Sequence, residues 1–257
     1  ANILLSPLTT QEAVLSSKIE GTHVTIGEVL EIEAGGESEA LTKPKRDDAE
    51  EVLNYRRAMR ACIAEMENRP LSQHLLKAAH RILMKGVRGR DKNPGNYRNH
   101  QNWIGPRGCK IEKASFLPIP PEQLQSGMDE WERYLQSDNE PDPLVQLAIL
   151  HVEFEALHPF MDGNGRLGRM LIPLFLFYRK LLASPVFYMS SYLEEKREEY
   201  QESLRAVSRS DDWTGWCCFF LRGIQQQAAS NESKARAILS LYDEVKTKMA
   251  DLTHSQH

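Results

Sequence analysis

His158-Pro159-Phe160-Met161-Asp162-Gly163-Asn164-Gly165-Arg166-Leu167-Gly168-Arg169 is the stretch on which the reading of this chain turns. An apolar helical pattern runs up to it and a second one starts at its end, so the motif is read as a turn between two core helices. Its contents are those of a phosphate-binding site. Asp162 offers oxygen to a hard divalent cation, and the glycines allow backbone N–H groups to close around an anion. The helix that follows points its positive end at the same place. Arg166 and Arg169 supply guanidinium forks suited to phosphate oxygens. His158 can accept a proton near neutral pH.

Outward from the motif, most of the chain reads as helix. Asp142–Leu157 leads into it and Gly165–Leu182 leads out, the latter carrying the apolar run Met170–Tyr178. That run is too short to span a bilayer and reads as a buried helix. Further helices are expected at Arg46–Asn68, Ser72–Lys85, Glu122–Gln136, Glu194–Val207, Thr214–Gln227 and Ser230–Met249. Near the N-terminus, Thr9 and Glu12 have the spacing of a capping box, with Gly21 as the stop of that helix. Ile26, Val29, Leu30 and Ile32 give a short helix that runs into a loop at Ala34-Gly35-Gly36-Glu37-Ser38. Gly86–Pro121 breaks the helical pattern. Gln101-Asn102-Trp103-Ile104 and Ala114-Ser115-Phe116-Leu117 are β-prone runs that predict a hairpin, ended by the prolines at 118, 120 and 121. His151, two turns before His158, is expected to be a buried structural donor, and His74, His80 and His100 show no metal-type spacing.

One local rule is broken. Ser16 and Glu20 share a helix face, and Glu20 sits just before Gly21 at the negative end of the helix dipole, where a carboxylate is unfavourable. Such a violation predicts compensation from elsewhere, most simply by a cation.

Composition bounds the rest. At 257 residues, 41% hydrophobic and 26% charged, the chain can bury a large core. A net charge of −4 leaves no basic excess for nucleic acid. Cys62, Cys109, Cys217 and Cys218 lack metal spacing and suit a reducing compartment, hence a cytoplasmic setting. No secretory signal is visible. The start without Met and the abrupt stop at His257 lead us to expect cuts from a longer protein.

The motif resembles that of the Fic family, His-Pro-Phe-x-Asp-Gly-Asn-Gly-Arg-x-x-Arg, at every fixed position. Ser16-Ser17-Lys18-Ile19-Glu20-Gly21 resembles the family's inhibitory-helix pattern, and Tyr97-Arg98-x-x-Gln101-Asn102-Trp103-Ile104-Gly105 with Leu117-Pro118 looks like its flap. The resemblance implies an all-α fold, a Fic-type helical bundle with a short β-hairpin flap over the active site. It divides the chain into an N-terminal inhibitory segment (1–45), a catalytic core (46–225) and a C-terminal helix (226–257). It implies a bacterial protein adenylyltransferase moving AMP from ATP to a hydroxyl of a target protein, with Mg²⁺ or Mn²⁺. His158 would be the base and Asp162 the metal ligand. Gly163, Asn164, Gly165, Arg166, Leu167, Gly168 and Arg169 would hold the nucleotide, with Tyr200 and Gln201 on the adenine side by spacing. Ser16, Glu20 and Gly21 would inhibit through Arg169. Gln101, Asn102, Trp103, Ser115, Phe116 and Leu117 would hold the target strand. Self-modification and a homodimer are compatible with the resemblance; a membrane or nucleic-acid partner is not implied. Two other readings stand beside it: a nucleotide-binding module locked by Glu20, and a relative that transfers another nucleotide or removes AMP. A transcription regulator is disfavoured by the acidic balance and the absence of a helix-turn-helix pattern.

Overall fold

A computed structural model describes residues 6–34, 42–87, 91–106 and 108–254. Among them every regular element is a helix: α1 (Ser6–Ile19), α2 (Ile26–Glu33), α3 (Lys43–Glu65), α4 (Gln73–Leu83), α5 (Pro121–Leu135), α6 (Pro143–Leu157), α7 (Asn164–Tyr178), α8 (Ser190–Glu195), α9 (Arg197–Ser210) and α10 (Trp213–His254), with one 3-10 turn at Ile111–Lys113.

The centre of the bundle is the α6–α7 pair. Asp142 caps α6 by accepting from Leu144 N (2.7 Å) and Val145 N (3.4 Å), next to a Pro143 that lacks an N–H to lose. Gln146, Leu147, Leu150, His151, Phe154 and Leu157 are buried, so α6 meets neighbours around most of its circumference: α5, α7, α9 and α10. α7 is buried along nearly its whole length. Full burial of each such leucine or phenylalanine contributes roughly 1.5–3 kcal/mol, which makes this pair the rigid base on which the motif turn is mounted. On the other side of α7, α1 and α3 pack against it, so the N-terminal segment is part of the core rather than an appendage.

Several local expectations are corrected. Thr9 does not cap α1, because the helix already runs from Ser6; Thr9 Oγ1 instead meets Tyr188 Oη at 2.6 Å, and Glu12 turns inward to accept from Ser190 N and Oγ. The capping box is at Thr25 and Glu28, opening α2. The two helices expected after 214 are one, since Ala228-Ala229 favours helix and Asn231 is satisfied by donating to Tyr188 O. The helix expected over 194–207 is broken at Lys196 (ψ 33°), so that Tyr192 and Leu193 on α8 and Tyr200 and Val207 on α9 all face the core. The expected hairpin contracts to a single antiparallel bridge between Ile104 and Phe116, held by Ile104 N to Phe116 O (3.0 Å) and Phe116 N to Ile104 O (3.1 Å). The 3-10 turn and the prolines leave no room for a longer ladder. The glycine-rich loop expected near 35–38 lies outside the described residues. No helix of the described residues is long and apolar enough to cross a membrane.

Candidate functional site

The motif turn is fixed from four directions. At its start His158 adopts the left-handed conformation (φ 45°) that ends α6, its N–H still bonded to Phe154 O. At its end Gly163 (φ 79°) opens α7, and a Cβ there would press on Met84 Sδ, so glycine is required. Between them Asn164 staples the loop: Oδ1 accepts from Phe160 N and Nδ2 donates to Phe160 O, each at 2.8 Å. Asn164 is thus buried inside the turn and the Gly163 N–H is spent on Asp162 Oδ1, leaving the half-buried Gly165 as the motif glycine nearest to solvent.

The third support comes from the flap segment. Arg98 donates to His158 O (3.0 Å), Leu157 O (3.3 Å) and Ile119 O (2.5 Å), and Asn102 Nδ2 donates to Phe160 O (2.9 Å) and His158 O (3.3 Å). Asn102 therefore faces the motif and not a target. Gln101 is also committed inward, to Pro118 O. Trp103 and Leu117 are 40% and 54% exposed and form the apolar outer face of the flap, beside Ser115 and the half-buried Phe116.

The fourth support was missed in the sequence. His80 stacks on Phe160 at 3.8 Å and accepts from Gly95 N at Nδ1 (2.8 Å), which leaves Nε2–H to donate to Asp162 O (2.9 Å). Burial lowers its pKa to about 4 and keeps it neutral in that role. The signal available was weak: a lone histidine on an amphipathic helix.

The chemistry-bearing side chains then converge. His158 Nδ1 donates to Glu155 O (3.2 Å), which assigns the lone pair to Nε2; burial lowers its pKa to about 4. Asp162 is half-exposed and accepts from Gly163 N at 2.6 Å; burial raises its pKa, against the pull of Arg166. Arg166 and Arg169 rise from the first turns of α7, both buried. Among the described residues no group of three or more His, Cys, Asp or Glu side chains could hold a metal.

Arg169 is held by the N-terminal segment. It donates from Nε to Ser16 Oγ (3.0 Å) and from Nη2 to Ser16 O (2.9 Å) and Glu20 Oε1 (2.6 Å). Burial alone would raise the Glu20 carboxyl, but the Arg169 guanidinium overrides it and holds the pKa below its ordinary range. A Cβ at Gly165 would collide with Glu20 Oε1, so the carboxylate sits against the N-terminus of α7, where the helix dipole favours an anion. Gly21 (φ 90°) ends the segment in a conformation that favours glycine. The adenine-side expectation is placed differently. Tyr200 lies in the core with its hydroxyl on His151 Nε2 (2.9 Å), whose Nδ1 donates to Gly168 O, and Gln201 points to solvent. Leu167 is a core residue, and Gly168 gives the space that the Glu155 carboxyl fills.

A Fic/DOC family model matches residues 70–176, and a Fic/DOC family N-terminal model matches residues 1–64. A probable protein adenylyltransferase of Aquifex aeolicus is 28% identical over 214 residues, which cover 80% of this chain and 59% of that protein. The protein adenylyltransferase fic-1 of Caenorhabditis elegans is 29% identical over 107 residues, covering 41% of this chain and 20% of that one. A crystal structure of a Fic family protein from Desulfovibrio desulfuricans superposes with a TM-score of 0.76 at 25% identity, covering 91% of this chain and 67% of the other. A Fic-domain signalling protein from Bacteroides thetaiotaomicron gives 0.71 at 17% identity, covering 90% of each. This chain spans about three fifths of the length of the Aquifex relative.

Proposed function

Because this chain belongs to the Fic/DOC family, we propose that it is a protein adenylyltransferase held in check by its own N-terminal helix. The relatives named as adenylyltransferases support the reaction class. The observation that carries the reading is the convergence of a neutral, half-buried histidine, an open carboxylate and two arginines on one helix N-terminus, with the carboxylate that follows α1 already docked there.

In the reaction, a hydroxyl oxygen of the target attacks the α-phosphorus of ATP. The bond to the leaving pyrophosphate breaks, and the hydroxyl proton passes to His158 Nε2. Burial prepares that nitrogen by keeping the imidazole neutral, so no proton must first be shed at neutral pH. The Asp162 carboxylate would suit Mg²⁺ or Mn²⁺, which bind proteins through one or two carboxylates, and such an ion would supply charge neutralisation. The α7 N-terminus and Gly165 N–H receive phosphate oxygens, and Arg166 grips the inner phosphates. Arg169 takes the γ-phosphate once Glu20 leaves it. While Glu20 stays, the triphosphate sits out of line for attack, and a small misplacement is enough to suppress transfer. The flap's Trp103 and Leu117 offer an apolar edge for an extended target segment.

His158→Ala tests the assignment of the base. In the Glu20→Gly form it should lower AMP transfer from α-labelled ATP by ~10²–10⁴-fold while ATP binding survives. Undiminished transfer would remove His158 from the mechanism.

A further inference from the structure

Arg169 is not the only motif arginine tied to another segment. Arg166 Nη1 donates to Glu51 Oε2 at 3.2 Å, from the middle of α3, and both side chains are buried. The same Oε2 accepts from Thr22 Oγ1 at 3.0 Å, two positions beyond Glu20. On its other side Arg166 Nη2 meets Met84 Sδ at 3.5 Å and stands 3.7 Å from Asp162 Oδ1, while Nε has no hydrogen-bond partner. One carboxylate oxygen therefore joins the chain just past the inhibitory carboxylate to the phosphate-binding end of α7.

A buried ion pair is a poor way to gain stability. Desolvation of both charges consumes most of the attraction, and apolar side chains of equal volume serve as well. What a buried pair does supply is direction. Glu51 fixes one end of the planar guanidinium, while the buried Arg166 Nε–H has no hydrogen-bond partner. Resting on the function proposed above, we propose that Glu51 is a positioning residue for the transfer reaction. It aims Arg166 at the inner phosphates, and through Thr22 it registers where the inhibitory segment lies.

The test uses the Glu20→Gly protein as parent, with α-labelled ATP and a fixed amount of cell lysate as acceptor. Glu51→Gln keeps the shape and can still accept from Thr22, but it no longer carries charge. The maximal labelling rate should fall by about tenfold or more, as expected for a phosphate group held off line, while the half-saturating ATP concentration changes by less than about threefold. Thr22→Val, which removes the hydroxyl at constant volume, should lower the rate in the same direction by a smaller factor. The two changes combined should be no slower than Glu51→Gln alone, because both act through one contact. A loss of melting temperature with an unchanged maximal rate would reduce Glu51 to a structural ion pair and overturn the proposal. So would a rise in half-saturating ATP at constant maximal rate. An active parent with an equally active Glu51→Gln form would sink the proposal and leave the functional reading standing; an inactive parent would sink both.

Discussion

Glu20→Gly removes the carboxylate that Arg169 holds, and the structure bounds what should follow. Arg169 is 2% exposed and Glu20 is 40% exposed. A hydrogen bond to a charged group contributes roughly 1.5–3 kcal/mol, and the solvent around Glu20 argues for the lower end. About 1.5 kcal/mol corresponds to roughly tenfold in an equilibrium. The γ-phosphate must displace Glu20 in the wild type and meets no such competitor in the variant. AMP transfer from labelled ATP should therefore rise at least about tenfold. The same quantity appears in stability. Without Glu20, Arg169 is a buried cation awaiting an anion, so ATP should stabilise the variant by about 1.5 kcal/mol more than the wild type, or roughly 3–6 °C for a chain of this size. The gain in transfer should vanish in Glu20→Gly/Arg169→Ala, as both act through one contact. Acid should not mimic the substitution. A carboxyl whose folded pKa is depressed contributes above its ordinary range and loses that contribution only as pH falls through the lowered value. Inhibition should thus persist from about pH 8 down to about pH 5.5, above the ordinary carboxylate range. Wild-type activity in Glu20→Gly, with no additional stabilisation by ATP, would refute the inhibitory reading.

Leu117→Pro, at the exposed edge of the flap, should impair labelling of target proteins and spare ATP-dependent stabilisation, because proline removes a backbone donor far from the phosphates; parallel loss of both would make the flap a structural support only. Glu12, whose pKa burial raises to about 7 against its bonds to Ser190 and the pull of Arg169 and Tyr55, should contribute stability that is present below about pH 4.5 and lost as pH rises through about 7. The melting temperature of Glu12→Gln relative to wild type should therefore improve between about pH 6 and about pH 8, and a pH-independent difference would contradict this. In Glu20→Gly with ATP, amides of 10–18 should keep their hydrogen-exchange protection while those of 20–22 lose it; loss spread evenly over α1 would mean that the whole helix detaches.

The site was legible where its chemistry is local, and less so where it depends on contacts across the chain. The motif announces itself because a histidine, a carboxylate, a tight turn and two arginines lie between two successive helices, each of a type that suits phosphate chemistry. Glu20 could be singled out because a carboxylate at a helix C-terminus is locally unfavourable, so its partner had to be sought elsewhere. Glu51 had no such mark. In the middle of α3 a glutamate reads like any solvated helix residue, and only the fold reveals that Arg166, 115 positions away, turns it inward. Asn102 misled for a related reason: β-prone neighbours suggested a strand edge, whereas its amide is spent on the motif's carbonyls. Tyr200 was read from spacing alone, and its burial against His151 could not be seen without α9 and α10 in place.

On the proposed function, how the N-terminal segment would release Arg169 depends on its two kinds of attachment. Leu8, Ala13, Val14 and Ile19 are buried in the core around α1. Each of the larger three is held by roughly 1.5–3 kcal/mol. Glu12 on Ser190, Lys18 on Glu194 and Arg197 on Ile19 O add polar ties to α8 and α9. Against this, the Glu20–Arg169 contact is about 1.5 kcal/mol by the reasoning above, and it sits past the last helical residue, beside a glycine. Nucleotide binding can offset the smaller term and not the larger sum. We therefore expect release to run through the Glu20–Gly21 turn while α1 stays docked. Because Thr22 and Glu51 lie on the far side of that turn, the movement that frees Arg169 also pulls on the carboxylate that aims Arg166.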